Sequence, residues 1–141
     1  MTKIFKGRYT NPNDQIFTFD GKHIYIGRYT NVNDIAYTFV DNTLYNGRYT
    51  DRNQIICVFD GKYVYRGSEK NSSKIHFTIK DNRIYSGRGE YDREIMFTID
   101  GRYVYNGRFK NPNEIEMNTS DKIHPLLILA MGHGLPKNLP W

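Results

Sequence analysis

A chain of 141 residues with 20 Lys+Arg against 15 Asp+Glu is about one domain in size and carries a net charge of +5. Only 38% of it is hydrophobic, yet 12 Tyr and 8 Phe lift the aromatic share to 15%. Such a core is built from rings, and the scarcity of Ala and Leu argues against a helical bundle and for β structure.

The first seven residues hold no apolar stretch of signal-peptide length. The longest apolar run, residues 125–131, is far short of the roughly 20 residues that span a bilayer, so no membrane span is expected. A cytoplasmic setting is the default expectation. The lone Cys57 cannot form an internal disulfide, no Cys/His cluster has zinc spacing, and no cofactor is indicated. Basic residues recur at intervals instead of forming one stripe, which argues against nucleic acid as a partner.

Along the chain, Gly7, Gly27, Gly47, Gly67, Gly87 and Gly107 stand 20 residues apart. An aromatic precedes each by two positions (Phe5, Tyr25, Tyr45, Tyr65, Tyr85, Tyr105), and Arg follows each except at Ser68. A second apolar block follows each glycine, as in Ile16-Phe17-Thr18-Phe19 and Ile95-Met96-Phe97-Thr98-Ile99. Six copies thus fill residues 3–122. Each reads as two short strands around a polar turn such as Asn31-Val32-Asn33-Asp34, and copies join through Asp20-Gly21, Asp60-Gly61 and Asp100-Gly101 or through Asp41-Asn42 and Asp81-Asn82. The expectation is an all-β single domain over 1–141, with about twelve antiparallel strands in six 20-residue hairpin repeats and a capping segment over 123–141.

If Gly7 faces Phe17, then Phe5, Gly7 and Tyr9 share a core face with Gln15, Phe17 and Phe19, and a ring shields the strand glycine in most copies. That register puts Ile4, Ile24, Leu44, Val64, Ile84 and Val104 on the second face. Either that face is also partly buried, or the Asp-Gly junctions shift the register. Twelve strands at about 4.8 Å would make a ribbon nearly 60 Å wide, which must roll into a barrel, split into packed sheets, or be covered. The apolar tail, residues 123–136, reads as a short helix capped by Asp121 and stopped by Gly132 and Gly134, and is expected to serve as plug or cover. Its alternative is a docking peptide.

Tyr25-Ile26-Gly27-Arg28-Tyr29 and its equivalents, with the Asp60-Gly61 type of turn, resemble MORN repeats (membrane occupation and recognition nexus) across residues 3–122. The period is shorter than that family's, and its central Gly-x-Gly is absent. The resemblance implies one hairpin per unit in an elongated twisted sheet, and a non-enzymatic scaffold for protein or lipid contacts.

The candidate ligand-binding residues are Arg8, Tyr9, Arg28, Tyr29, Arg48, Tyr49, Arg88 and Arg108, a row at regular pitch that suits an acidic peptide, a glycan or an anionic polymer. The plainer account has each Arg pairing with turn acids such as Asp14, Asp34 or Glu114 and covering rings. Cys57, standing where other copies have Phe17, Tyr37, Phe77 or Phe97, reads as a small buried hydrophobe. No catalytic grouping and no metal set stands out, and His133 between Gly132 and Gly134 is the least favoured candidate, with Arg88, for chemistry in a rolled-up cavity. The expected function is a non-enzymatic binding or scaffold module for a protein partner or for self-association, with a multivalent carbohydrate-binding protein as the alternative.

Overall fold

The computed structural model describes residues 1–133; the part of the tail from 134 onward, where the predicted segment ends, lies outside the described residues. Twelve strands run in chain order: β1 Thr2–Lys6, β2 Gln15–Phe19, β3 His23–Ile26, β4 Ile35–Val40, β5 Thr43–Asn46 and β6 Ile55–Phe59, then β7 Tyr63–Arg66, β8 Ile75–Lys80, β9 Arg83–Ser86, β10 Ile95–Asp100, β11 Tyr103–Asn106 and β12 Ile115–Thr119. Each pairs antiparallel with its chain neighbours, and β1 pairs with β12, so the meander is a closed barrel. Closure removes both sheet edges. The seam is sealed beyond the last strand pair, where Lys3 and Ser120 exchange main-chain and side-chain hydrogen bonds at 2.8–2.9 Å.

Within each hairpin the register slips by one residue. Ile4 pairs with Phe17 but Phe5 pairs with Gln15, and the same step recurs between Ile24 and Tyr25 and at the four later equivalents. One residue per hairpin is extra, the signature of a β-bulge. This corrects the facing expected from sequence. The inward row joins Ile4, Ile24, Leu44, Val64, Ile84 and Val104 to Phe17, Phe77, Phe97 and Met117, and the step lies inside each hairpin instead of at the Asp-Gly junctions. The outward row is buried too: Phe5, Tyr25, Tyr65, Tyr85 and Tyr105 are only 6–8% exposed.

The repeat glycine is likewise not a strand residue shielded by a ring. Gly27 has φ +84°, a left-handed conformation that a side chain resists, and its N–H donates to the carbonyl of the bulge residue Ile16 at 2.7 Å. The same bond, from Gly7 to Glu116 and from Gly107 to Met96, closes the ring of six. At the opposite end of the barrel, Asp41-Asn42 and Asp81-Asn82 adopt paired positive φ values of 50–61°, the two-residue hairpin turn their chemistry favours.

Twelve strands enclose more space than their own side chains fill, since about eight strands already make an interior just wide enough to fill. The tail takes up the difference. It enters beside Thr119, turns into the short helix α1 (Pro125–Ile128) and continues as a π-helical turn over Leu129–His133. Leu126, Leu127, Ile128, Leu129 and Ala130 are at most 1% exposed and belong to the same core cluster as the inward row. The cap is His124, not Asp121: its Nδ1 accepts from the Leu126 N–H at 3.0 Å, and Pro125 takes the first helical position, where no N–H is needed. No helix among the described residues is long and apolar enough to cross a membrane.

Candidate functional site

The segment after each repeat glycine turns out of the barrel and lies back along its outer wall. Asn118 Nδ2 donates to the carbonyls of both Gly7 and Tyr9, at 2.8 and 3.0 Å, which holds the first of these loops against β12. In the fifth loop Glu90 reaches Lys80 and Lys62 near the short-turn end of the barrel, at 3.0 and 3.3 Å, and in the sixth Lys110 reaches Asp100 at 3.7 Å. These folded-back loops account for the burial of the outward aromatic row.

Laid out in this way, the loops carry a belt of exposed rings. Tyr9, Tyr29, Tyr49, Tyr91 and Phe109 are each 56–67% exposed. A guanidinium stacks on every one: Arg8 on Tyr9 at 5.1 Å, Arg28 on Tyr29 at 5.4 Å, Arg48 on Tyr49 at 4.9 Å, Arg93 on Tyr91 at 5.3 Å and Arg108 on Phe109 at 4.7 Å. Such pairs contribute about 0.5–1 kcal/mol each at exposed sites. They hold ring and charge in a fixed relation without burying either. Of the belt arginines, Arg108 also approaches an acid, Asp92 at 3.8 Å, and Arg93 approaches Glu94 at 3.6 Å. Stacking on rings, more than pairing with turn acids, therefore describes this row.

Three of the sequence-selected pairs, Arg8–Tyr9, Arg28–Tyr29 and Arg48–Tyr49, are brought together as such. Arg108 finds its ring in Phe109. Arg88 is exposed and has no place in a stacked pair; its sector is served by Tyr91 and Arg93. The reason is Gly89, which replaces the usual aromatic. A Cβ there would collide with the Tyr91 ring, so the missing side chain is the space into which that ring folds. Tyr91, Arg93 and Phe109 were legible only as departures from the Gly-Arg-Tyr-Thr motif.

Of the other candidates, Cys57 lies in the core and His133 is exposed against a core ring. Cys57 is fully buried, and burial pushes its thiol far above the ordinary range. His133 sits edge-on to Phe77 with ring centroids 5.6 Å apart, and His124 packs between Phe39 and Phe59 at 5.1 and 5.0 Å. Among the described residues no group of His, Cys, Asp and Glu could hold a metal ion.

A closed barrel of six β-hairpins around a chain-terminal plug, with a loop from each hairpin folded onto the outer wall, defines a six-petalled repeat protein. Residues 4–129 match the family described as 6-fold beta flower protein, and the chain belongs to it. No curated protein and no solved structure matches. Membership in this family corrects the resemblance to MORN repeats. The aromatic-glycine spacing is common to both patterns, but here the glycine turns the chain outward beside a bulge, and the sheet closes instead of extending.

Proposed function

We propose that this protein is a non-enzymatic binding module whose outer belt of Arg–aromatic pairs docks a protein partner. The observation that carries the reading is the exposure of five large rings, each with a stacked guanidinium, while the other Tyr and Phe among the described residues are buried or half-buried. Aromatic residues and Arg dominate the energetics of protein interfaces, because they bring large contact area with little side-chain entropy to lose and several donors at once. Three of the pairs, Arg8–Tyr9, Arg28–Tyr29 and Arg48–Tyr49, recur at the same repeat positions, so a partner with repeated acidic or apolar segments gains avidity from engaging several. Repeated equivalent pairs also favour, as a second reading, a multivalent carbohydrate ligand stacking on the free ring faces.

The test is affinity enrichment with the full chain and with a Tyr9→Ser, Tyr29→Ser, Tyr49→Ser variant of unchanged thermal stability. A protein retained by the first and lost by the second supports docking through the belt. Equal retention by both refutes it, and saturable glycan binding with more than one equivalent site per chain transfers the belt to the carbohydrate reading.

A further inference from the structure

One sector of the ring breaks the pattern. After Gly67 the chain reads Ser68-Glu69-Lys70, so neither the Arg nor the ring of the other petals is present. Val58 replaces the threonine that elsewhere donates to the glycine carbonyl, leaving the Gly67 oxygen without that bond. A pocket of about 320 Å3 lies beside this loop, with Ile56 and Gly67 in its lining and Arg66, Ser68, Glu69 and Lys74 around them.

The charge of this pocket is particular to it. The equivalent pocket one repeat earlier, of about 380 Å3, has neutral Asn46 and Gln54 where this one has Arg66 and Lys74. Arg66 is half-buried, whereas Ile26, Asn46, Ser86 and Asn106 at the same repeat position are exposed. Among the described residues neither Arg66 nor Lys74 makes an ion pair. Arg52 reaches over from the preceding loop and donates to the Ser68 hydroxyl at 3.4 Å. Arg66 and Lys74 thus line the pocket while Arg52 meets its Ser68 hydroxyl, and the one acid in the lining, Glu69, is exposed. The field is felt by a neighbour: burial first, and then Arg66 and Lys74, hold the His76 imidazole below its usual range.

We propose that the sector between the third and fourth repeats binds a small phosphate monoester. Arg66 presents a planar fork that matches two phosphate oxygens, Lys74 supplies a point charge, and the Ser68 hydroxyl donates to a third oxygen. The Gly67 carbonyl and the Glu69 carboxylate are acceptors for hydroxyls on the ester's carbon skeleton. The site is independent of the belt and keeps its meaning whether or not the belt docks a protein.

The experiment is an NMR titration of the full chain with glycerol phosphate and with inorganic phosphate, at about 150 mM salt so that exposed charges are screened. The expected result is saturable shifts at residues 66–69 and 74, an affinity lowered about 10-fold or more in R66M/K74M, and no change in K22M, which removes an exposed cation away from this pocket. K74M alone, at an exposed position that does not support the fold, is expected to weaken binding about threefold or more. Absence of saturation up to about 10 mM ester, or equal affinity in R66M/K74M, overturns the proposal. Co-sedimentation with vesicles containing phosphatidic acid that the soluble ester fails to displace overturns the soluble ligand and assigns the same phosphate chemistry to a lipid headgroup.

Discussion

The Thr78 hydroxyl donates to the carbonyl oxygen of Gly87 at 2.8 Å, tying a buried strand residue to the point where the next petal leaves the barrel. Thr18, Thr38 and Thr98 make the same bond to Gly27, Gly47 and Gly107, and Asn118 makes it across the seam to Gly7. Thr78 is fully buried, so Thr78→Val removes the donor while keeping the shape and should cost about 1–2 kcal/mol in urea unfolding. Val58→Thr makes the reciprocal test. It restores the missing donor beside Gly67 and should be neutral or stabilising by about 1 kcal/mol, and a clear loss of stability would show that the sector cannot take the common geometry.

The plug is part of the core, so its truncation should be felt by the whole barrel. Leu127 is fully buried, and Leu127→Ala should cost about 2–5 kcal/mol. Loss of a single cooperative transition in the same melt, with strands persisting after the tail has left, would instead mean that the barrel stands without it.

His124 makes the plug sensitive to acid. Its ring is packed between Phe39 and Phe59 and its Nδ1 accepts from Leu126 N–H, so burial holds its pKa below the usual value. A histidine with a lowered folded pKa binds more protons when unfolded; its contribution is present above the ordinary pKa near about 6.5 and is lost as pH falls through the folded value. Stability measured from pH 7.5 downward should therefore decline in this window, and His124→Asn, which keeps an acceptor for the cap, should flatten the decline. An unchanged pH profile in that variant would remove His124 from the account.

Asp60 makes a second pH-dependent contact, at the turn that opens β7. Burial alone would push its carboxyl up, but the Tyr65 hydroxyl and the Tyr63 and Lys62 N–H groups outweigh this and leave it below the ordinary value. The contribution is present above the ordinary carboxylate pKa and is lost as pH falls through the folded value. On the other side of the bond, Asp60 and burial push Tyr65 up to about 12. Ultraviolet titration of Tyr65→Phe should lose the tyrosine that ionises last; an unaltered high-pH limb would contradict the bond.

Replacing Gly89 by Ala should move a surface feature and leave the barrel intact. The new Cβ collides with the Tyr91 ring, so the ring must leave its place under Arg93. The expected readout is shifted Tyr91 and Arg93 side-chain resonances with an unfolding midpoint close to that of the parent. Unshifted resonances would mean that the ring does not occupy that space.

The period of 20, the strand pairs, the turn residues and the apolar tail were all readable in the sequence, because each depends on contacts between residues near one another in the chain. Asp41-Asn42 announces its turn wherever it occurs, and Gly-Arg-Tyr carries its own stacked pair. The bulge was not readable. Ile16 looks like one more apolar strand residue, and the one-residue step it creates reverses which of Ile4 and Phe5 faces inward. Local pattern cannot distinguish the two, since both rows are apolar and both end up buried.

Length, composition and repetition thus determined an all-β protein of six hairpins with rings in excess of aliphatics. Only the tertiary structure decided that β1 meets β12, that the aliphatic row lines the interior, and that the petals fold outward to cover the second aromatic row. These are outcomes of closure: a twelve-stranded ring has one wall to turn inward and a bore to fill, and no single repeat contains that information. The same closure gives the irregular Gly67-Ser68-Glu69 loop its meaning, because its departure stands out in a ring whose other petals each carry an Arg–aromatic pair.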